Sequence, residues 1–313
     1  MRPMNPHAGH RAGVLGIAIT VAAGVSAAAF ADTPGTQIPM KIADRSLKAG
    51  QDVRATGAPG RELAGRTVAL EYLAGQSGWQ PLATATIAGS GRYRVAGELP
   101  RSARVRVVLQ PQPGTATASA QSSREARVAV SPRVRIGHRR LHVQAGRRAT
   151  VNGRLKPAAG GARVSLQVRR PGGWRTIERD RTSSEGRFKL RDRRRQTLSA
   201  KARVVARPHA GLAKGRRKVG RLNVYRYAQA SWYGPGFYGR QTGCGGRLDP
   251  GELGVAHKSL PCGSKVTFRH KGRSVRVRVI DRGPYVGGRE YDLTEATARR
   301  LGFSGHGPVL TTR

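Results

Sequence analysis

Short runs in which apolar and polar residues alternate recur along most of this chain. Val68, Leu70 and Tyr72 mark one run, and Val164, Leu166 and Val168 another. A third holds Val275, Val277 and Val279, with Arg276 and Arg278 between them. Side chains on a strand point to opposite faces in turn, so each run predicts a half-buried strand. Gly- and Pro-bearing turns separate the runs, and His270-Lys271-Gly272-Arg273 has the residues of a tight hairpin turn. One helix is marked near the C-terminus. Thr294 is its expected cap, Glu295 faces the positive end of the dipole, Arg299 and Arg300 occupy the last turn, and Gly302 ends it.

The pattern repeats. Leu47-Lys48-Ala49-Gly50 matches Val143-Gln144-Ala145-Gly146, Gly57 matches Gly153, and Val68-Ala69-Leu70 matches Val164-Ser165-Leu166. Gly78-Trp79 matches Gly173-Trp174, and Gly91-Arg92-Tyr93 matches Gly186-Arg187-Phe188. This is a tandem duplication of a unit of about 95 residues. Short strands around one Trp suit a small β-sandwich. The order of motifs resembles the immunoglobulin-like modules of exported bacterial proteins. Two such sandwich units are expected, at 36–131 and 132–225, and Trp79 and Trp174 are read as core or edge residues that both copies share. Ala210 to Gly215 reads as a loop, and a linker to the last domain is expected near Tyr225-Arg226-Tyr227.

Composition agrees, since aromatics are only 5% of the residues while Gly, Pro, Val, Arg and Thr are plentiful. The formal net charge of +41 predicts attraction to polyanions. The compartment narrows the choice. A basic start with Arg2, His7, His10 and Arg11 leads into an apolar run from Gly13 to Phe30, and Ala29-Phe30-Ala31 has the form of a cleavage site. Residues 1–31 are therefore expected to be a removed signal peptide, with no membrane span in the mature chain. Export makes nucleic acid an unexpected partner. Anionic wall polymers or a membrane surface fit instead, through the basic second unit with its runs at Arg193–Arg195 and Lys214–Lys218. Cys244 and Cys262 are the two cysteines, and in an oxidising compartment they are expected as a disulfide worth about 3 kcal/mol. No CxxC or HxxxH spacing accompanies them, so neither a metal nor another cofactor is expected. Neither cysteine ends the leader, so no N-terminal lipid anchor is expected.

The last domain, 228–313, carries the chemistry. It contains Ala230-Ser231-Trp232-Tyr233-Gly234-Pro235-Gly236-Phe237, Ala256-His257-Lys258-Ser259-Leu260-Pro261, Asp281-Arg282-Gly283-Pro284-Tyr285 and Gly288-Arg289-Glu290-Tyr291-Asp292-Leu293. In that order these motifs resemble the rare lipoprotein A family, whose domain is a six-stranded double-psi β-barrel related to expansins. Its members are septal lytic transglycosylases that cut peptidoglycan glycan strands. The resemblance implies Asp281 as the catalytic acid and base, with His257 assisting. It also implies substrate contacts from Trp232, Tyr233, Phe237, Tyr238, Arg282, Tyr285 and Asp292. Asp292 stands beside the start of the helix, where holding backbone N–H groups is its expected structural job.

One feature departs from the family. Thr242-Gly243-Cys244-Gly245-Gly246-Arg247-Leu248-Asp249 replaces a T-A-S-G-E-x-[YF]-[DN] stretch, so Gly246 stands where the family has a functional Glu. The whole chain is thus expected to be a mainly β, exported wall protein acting on peptidoglycan glycan as a lytic transglycosylase. A non-catalytic, expansin-like glycan binder or wall loosener is the alternative.

Overall fold

The computed structural model describes residues 37–73, 75–111 and 121–313, so the expected signal peptide lies outside the described residues. The alternating runs form strands. In the first unit these are β1 (Lys41–Ile42), β2 (Ser46–Lys48), β3 (Asp52–Gly57), β4 (Thr67–Leu73), β5 (Trp79–Thr86), β6 (Tyr93–Glu98), β7 (Ala103–Leu109) and β8 (Ala126–Ser131). The second unit has β9 (Arg133–Arg140), β10 (His142–Gln144), β11 (Arg148–Lys156), β12 (Arg163–Arg170), β13 (Gly173–Arg181), β14 (Arg187–Arg193), β15 (Leu198–Ala206) and β16 (Gly215–Tyr233).

The duplication is visible in the pairing. The first unit has sheets ordered β1-β3-β6 and β2-β8-β7-β4-β5; the second has β9-β11-β14 and β10-β16-β15-β12-β13. The two sheets of each unit share one core. Val53 and Tyr93 from one sheet meet Leu70 and Val107 from the other in the first unit, and Val151, Leu190, Leu166 and Val204 do the same in the second.

Small irregularities are copied too. A bulge at Leu70/Glu71 on β4 recurs at Leu166/Gln167 on β12. Tyr93 packs over Gly57, where an added Cβ would lie 2.5 Å from the ring, and Phe188 packs over Gly153 at the same 2.5 Å. This close approach explains why both units keep a glycine on one strand and an aromatic after Gly-Arg on the next. The tryptophans also agree, with Arg106 stacked on Trp79 at 4.2 Å and Arg203 on Trp174 at 4.0 Å. Both rings are half-buried edge residues covered by a cation.

The third body is a closed ring of six strands. The C-terminal part of β16 is joined by β17 (Gly254–His257), β18 (Lys265–His270), β19 (Arg273–Asp281), β20 (Tyr291–Thr294) and β21 (Gly307–Thr311). Around the ring the order is β16-β20-β17-β19-β18-β21 and back to β16. The β16–β20 and β17–β19 pairs are parallel and the others antiparallel. Val275, Val277 and Val279 face the core with Phe268, Tyr291 and Leu293, while Arg276 and Arg278 stay outside. The helix α1 (Glu295–Leu301) buries Leu301 in that core. Thr294 accepts from the Thr297 N–H at its start, and Gly302 ends it in the left-handed conformation.

The expected linker near residues 225–227 is absent as a loop. The strand β16 runs unbroken for 19 residues, pairing with β15 from Gly215 to Val224, with β10 from Asn223 to Tyr225, and with β21 from Arg226. Val224 and Tyr225 are apolar or aromatic and fully buried, so this stretch cannot loop out without exposing core. The expected loop at Ala210 to Gly215 docks onto the first unit: Leu212 enters that unit's core, and the Ala213 N–H donates to the Val130 carbonyl. Among the described residues no helix is long and apolar enough to cross a membrane.

The glycine under Phe188 gives a test. Gly153→Ala is expected to destabilise the protein by about 1–3 kcal/mol through overpacking. Gly137→Ala, whose nearest neighbour atom would be 3.9 Å away, should change stability by less than about 0.5 kcal/mol. Equal melting temperatures for the two variants would refute the packing argument.

Candidate active site

Four neighbouring strands place one row of side chains together. Ser231 on β16 is paired with Asp292 on β20, Asp292 with Ala256 on β17, and Ala256 with Asp281 on β19. Directly opposed residues share a face of the sheet, so the two carboxylates stand on either side of one methyl group. With strands about 4.8 Å apart, their backbones are about 10 Å from each other. Asp281 ends its strand at the bulge where β17 and β19 change register, which turns its side chain toward the 241–247 loop.

That loop holds Asp281. Its Oδ1 accepts the Gly243 N–H at 2.6 Å and the Arg282 N–H at 2.8 Å. Two charge-assisted bonds to one oxygen fix the carboxyl group and leave Oδ2 without an aligned protein donor among the described residues. A Cβ on residue 243 would lie 2.7 Å from the Arg282 side chain and 3.2 Å from its backbone nitrogen, so glycine permits the approach. The Cys244–Cys262 disulfide ties the next residue of the loop to the turn after β17. Gly243 was missed by sequence reasoning. Its only signal is its place beside Cys244.

Tyr233 completes the group. Its hydroxyl is buried without an aligned hydrogen-bond partner. Burial pushes its pKa far up, and the nearby carboxylates of Asp281, Asp292 and Glu252 push it further in the same direction. The hydroxyl is therefore a neutral donor facing a cluster of carboxylates. Burial also raises the pKa of Asp292, and the charge of Asp281 adds to the effect. The Ser231 hydroxyl, donating to Asp292 Oδ1 at 2.8 Å, and the Arg289 charge oppose it. Asp292 is thus held by Ser231 rather than by the helix start, whose cap is Thr294.

Other expected site residues are placed differently. His257 pairs with Tyr291, so strand alternation turns it to the opposite side of β17 from Ala256. Its Nδ1 accepts the N–H groups of Ser259 and Leu260 at 3.1 and 3.0 Å, and Nε2 lies 3.9 Å from Glu290. Among the described residues no hydrogen bond or ion pair joins it to Asp281. It lines a cavity of about 490 Å³ with Tyr227, Arg289 and Glu290. Arg282 turns inward to the loop. Its guanidinium donates to the carbonyls of His257 and Leu260 and to the Cys262 sulfur, which shapes the 257–262 turn.

Three of the expected aromatics are exposed. Trp232 is 37% exposed, Phe237 50% and Tyr285 82%, and Phe237 packs edge-on against Tyr233. The Tyr238 hydroxyl donates to Glu295. All the large exposed hydrophobic side chains among the described residues belong to this barrel or its entering strand.

Gly246 lies in the same loop with φ +82° and no atom within 4 Å of its would-be Cβ. There is space for a side chain, but the backbone is in a region where a glutamate is strained. Asp249 is exposed and accepts the Gly251 N–H, while Glu252 is the second-row carboxylate whose charge reaches Tyr233. No cluster of three or more His, Cys, Asp or Glu side chains is arranged for a metal among the described residues.

The electrostatics can be checked by titration. His257 is lowered by burial, and protonating Nδ1 would replace an acceptor of two N–H bonds with a donor. Its stabilising contribution is therefore complete above the ordinary value of 6.5 and is lost as pH falls through the lower folded value. NMR should show the Nε2–H tautomer at pH 7. For Asp292 the sign is reversed: ionisation opposes folding, so Asp292→Asn should raise the melting temperature at pH 7. That gain should fade as pH falls below the ordinary carboxylate range. A pH-independent difference would contradict the assignment.

The family-model match falls on this domain. Residues 226–311 match the lytic transglycolase family model. A probable endolytic peptidoglycan transglycosylase RlpA of Synechocystis is 38% identical over 141 residues, covering 42% of this chain and 42% of that one. The endolytic peptidoglycan transglycosylase RlpA of Neisseria meningitidis serogroup B is 42% identical over 123 residues, covering 36% of this chain and 52% of its own. A probable RlpA of Aquifex aeolicus is 41% identical over 97 residues, covering 30% and 43%. The chain spans about half or less of the length of these relatives. Closed barrel, ordered motifs and matched residues together make the C-terminal domain, residues 226–311, a member of the RlpA-like double-psi β-barrel family.

Proposed function

We propose that this chain is an exported wall protein whose barrel cleaves peptidoglycan glycan strands as a lytic transglycosylase, with Asp281 as its acid and base. The observation that carries the reading is the Asp281 carboxyl group, fixed through one oxygen by two backbone N–H groups and open at the other, in a domain that also exposes Trp232, Phe237 and Tyr285. The names of the relatives point to the same substrate.

The reaction needs one carboxyl group used twice. Protonated Asp281 gives its proton to the glycosidic oxygen as that bond breaks. The resulting carboxylate then takes the proton of the sugar's own 6-hydroxyl, whose oxygen closes onto C1 to give a 1,6-anhydro end. The Gly243 and Arg282 N–H groups are already aimed at Oδ1 and stabilise the carboxylate between the two steps. Tyr233 is the remaining neutral donor facing that charge. Trp232, Phe237 and Tyr285 supply flat apolar faces for sugar rings.

The sandwiches bring charge rather than aromatics. Residues 132–225 contain 28 Lys and Arg against four Asp and Glu. They hold the barrel to an anionic wall polymer by attraction that salt weakens.

Digestion of stem-peptide-free glycan, read by mass spectrometry, tests the chemistry. The wild type should release anhydro-muramyl ends, and Asp281→Asn should lose at least about 100-fold in rate. Tyr233→Phe should lower kcat about tenfold with KM little changed. Glycan pulled down intact by the wild type, and less well by Asp281→Asn, would replace the enzyme with an expansin-like binder.

A further inference from the structure

The basic charge of the sandwiches is gathered into a groove. Where the two sandwiches meet, a cavity of about 860 Å³ is lined by Lys48, Arg133, Arg135, Arg139, Arg216 and Arg217 and by no carboxylate. Where the second sandwich meets the barrel, another of about 630 Å³ is lined by Arg139, Arg140, Arg147 and Arg269, again without a carboxylate. Arg139 lines both. Between them runs β9, an edge strand of its sheet, with Arg133, Arg135, Arg139 and Arg140 exposed along it.

The two cavities occupy repeated places. Lys48 and Gln51, in the turn of the first unit that faces the second, correspond to Gln144 and Arg147 in the turn of the second unit that faces the barrel. The first junction is braced: the Arg133 guanidinium donates to the carbonyls of Ala49 and Gly50 across it. Among the described residues, Lys48, Arg135, Arg139, Arg216 and Arg217 make no ion pair. Their charges are left to act on each other and on a ligand.

We propose that this groove binds one linear phosphodiester chain without bases, such as a poly(glycerol phosphate) wall polymer, and leads it toward the barrel. The inference rests on the wall-attachment reading above. A bilayer is flat and does not follow cations into a cleft between modules. Single-stranded nucleic acid is held largely by stacking on aromatic side chains. Every large exposed aromatic among the described residues lies in the barrel or its entering strand, and none lines the first cavity; the Tyr225 ring at the second is fully buried and stacked on His142, so it offers no free face. A thin flexible polyanion with regularly spaced phosphates satisfies both constraints.

Calorimetric titration of the mature chain with poly(glycerol phosphate), repeated over a range of salt, tests the groove. Replacing Arg135, Arg139 and Arg217 together by Gln should weaken binding at least tenfold. It should also flatten the log–log salt dependence by about 2, at roughly 0.7 per lost phosphate contact. A control of equal charge, Arg170, Arg175 and Lys201 to Gln, should remain within twofold of wild type. Thermal melts establish that both triples are folded, and Asp281→Asn should bind the polymer like wild type.

Equal loss in the two triples, or no polymer binding by the wild type, overturns the groove. Tighter groove-dependent binding of oligothymidylate or of anionic phospholipid vesicles overturns the choice of a base-free polymer. Wall binding that survives the groove triple removes this site while leaving wall attachment intact. Failure of the wild type to bind walls removes the attachment reading itself.

Discussion

The strand from Gly215 to Tyr233 joins the second sandwich to the barrel. Its first half completes the second sandwich's larger sheet, and its second half closes the barrel between β20 and β21. Val224, Tyr225, Ala228 and Ala230 are buried along it, so each body's core includes part of the same strand. Releasing the barrel from the sandwich would break ladder hydrogen bonds and expose apolar surface in both at once. The His142 ring, 2.7 Å from the Tyr225 hydroxyl, and the Gln144 amide, donating to the Tyr227 hydroxyl, reinforce the crossing.

Rigidity at this point gives the basic modules a defined relation to the barrel. The cations of the second sandwich do not trail on a flexible tether but occupy fixed positions beside the junction, with Arg269 of the barrel adding to them. Tethering by rigid modules avoids the ordering entropy that a flexible linker loses on binding. The same logic extends upstream, where Leu212 pins the β15–β16 turn into the first sandwich.

The site itself follows a similar plan. Asp281 is 38 residues from Gly243 in sequence, yet they are bonded at 2.6 Å, because the barrel's crossed connections bring the 241–247 loop over the end of β19. The disulfide and the Arg282 guanidinium hold the two sides of that arrangement together. The departure at Gly246 belongs to this loop. With a left-handed turn and a disulfide in place, the loop supplies the Gly243 N–H rather than a carboxylate.

The sequence alone determined what local pattern controls. Alternation fixed the strands, repeated glycine–aromatic pairs revealed the duplication, Thr294 and Gly302 bounded the helix, and two cysteines left one pairing. Motif order singled out Asp281, Trp232 and Phe237 as candidates. Partnerships across the fold were not. The contact of Ser231 with Asp292, the turning of His257 toward Glu290, and the Gly243 bond to Asp281 all depend on which strands become neighbours. So do the basic groove and the missing linker. A strand's own residues state which face is apolar, but long-range pairing decides what that face and its polar opposite will meet.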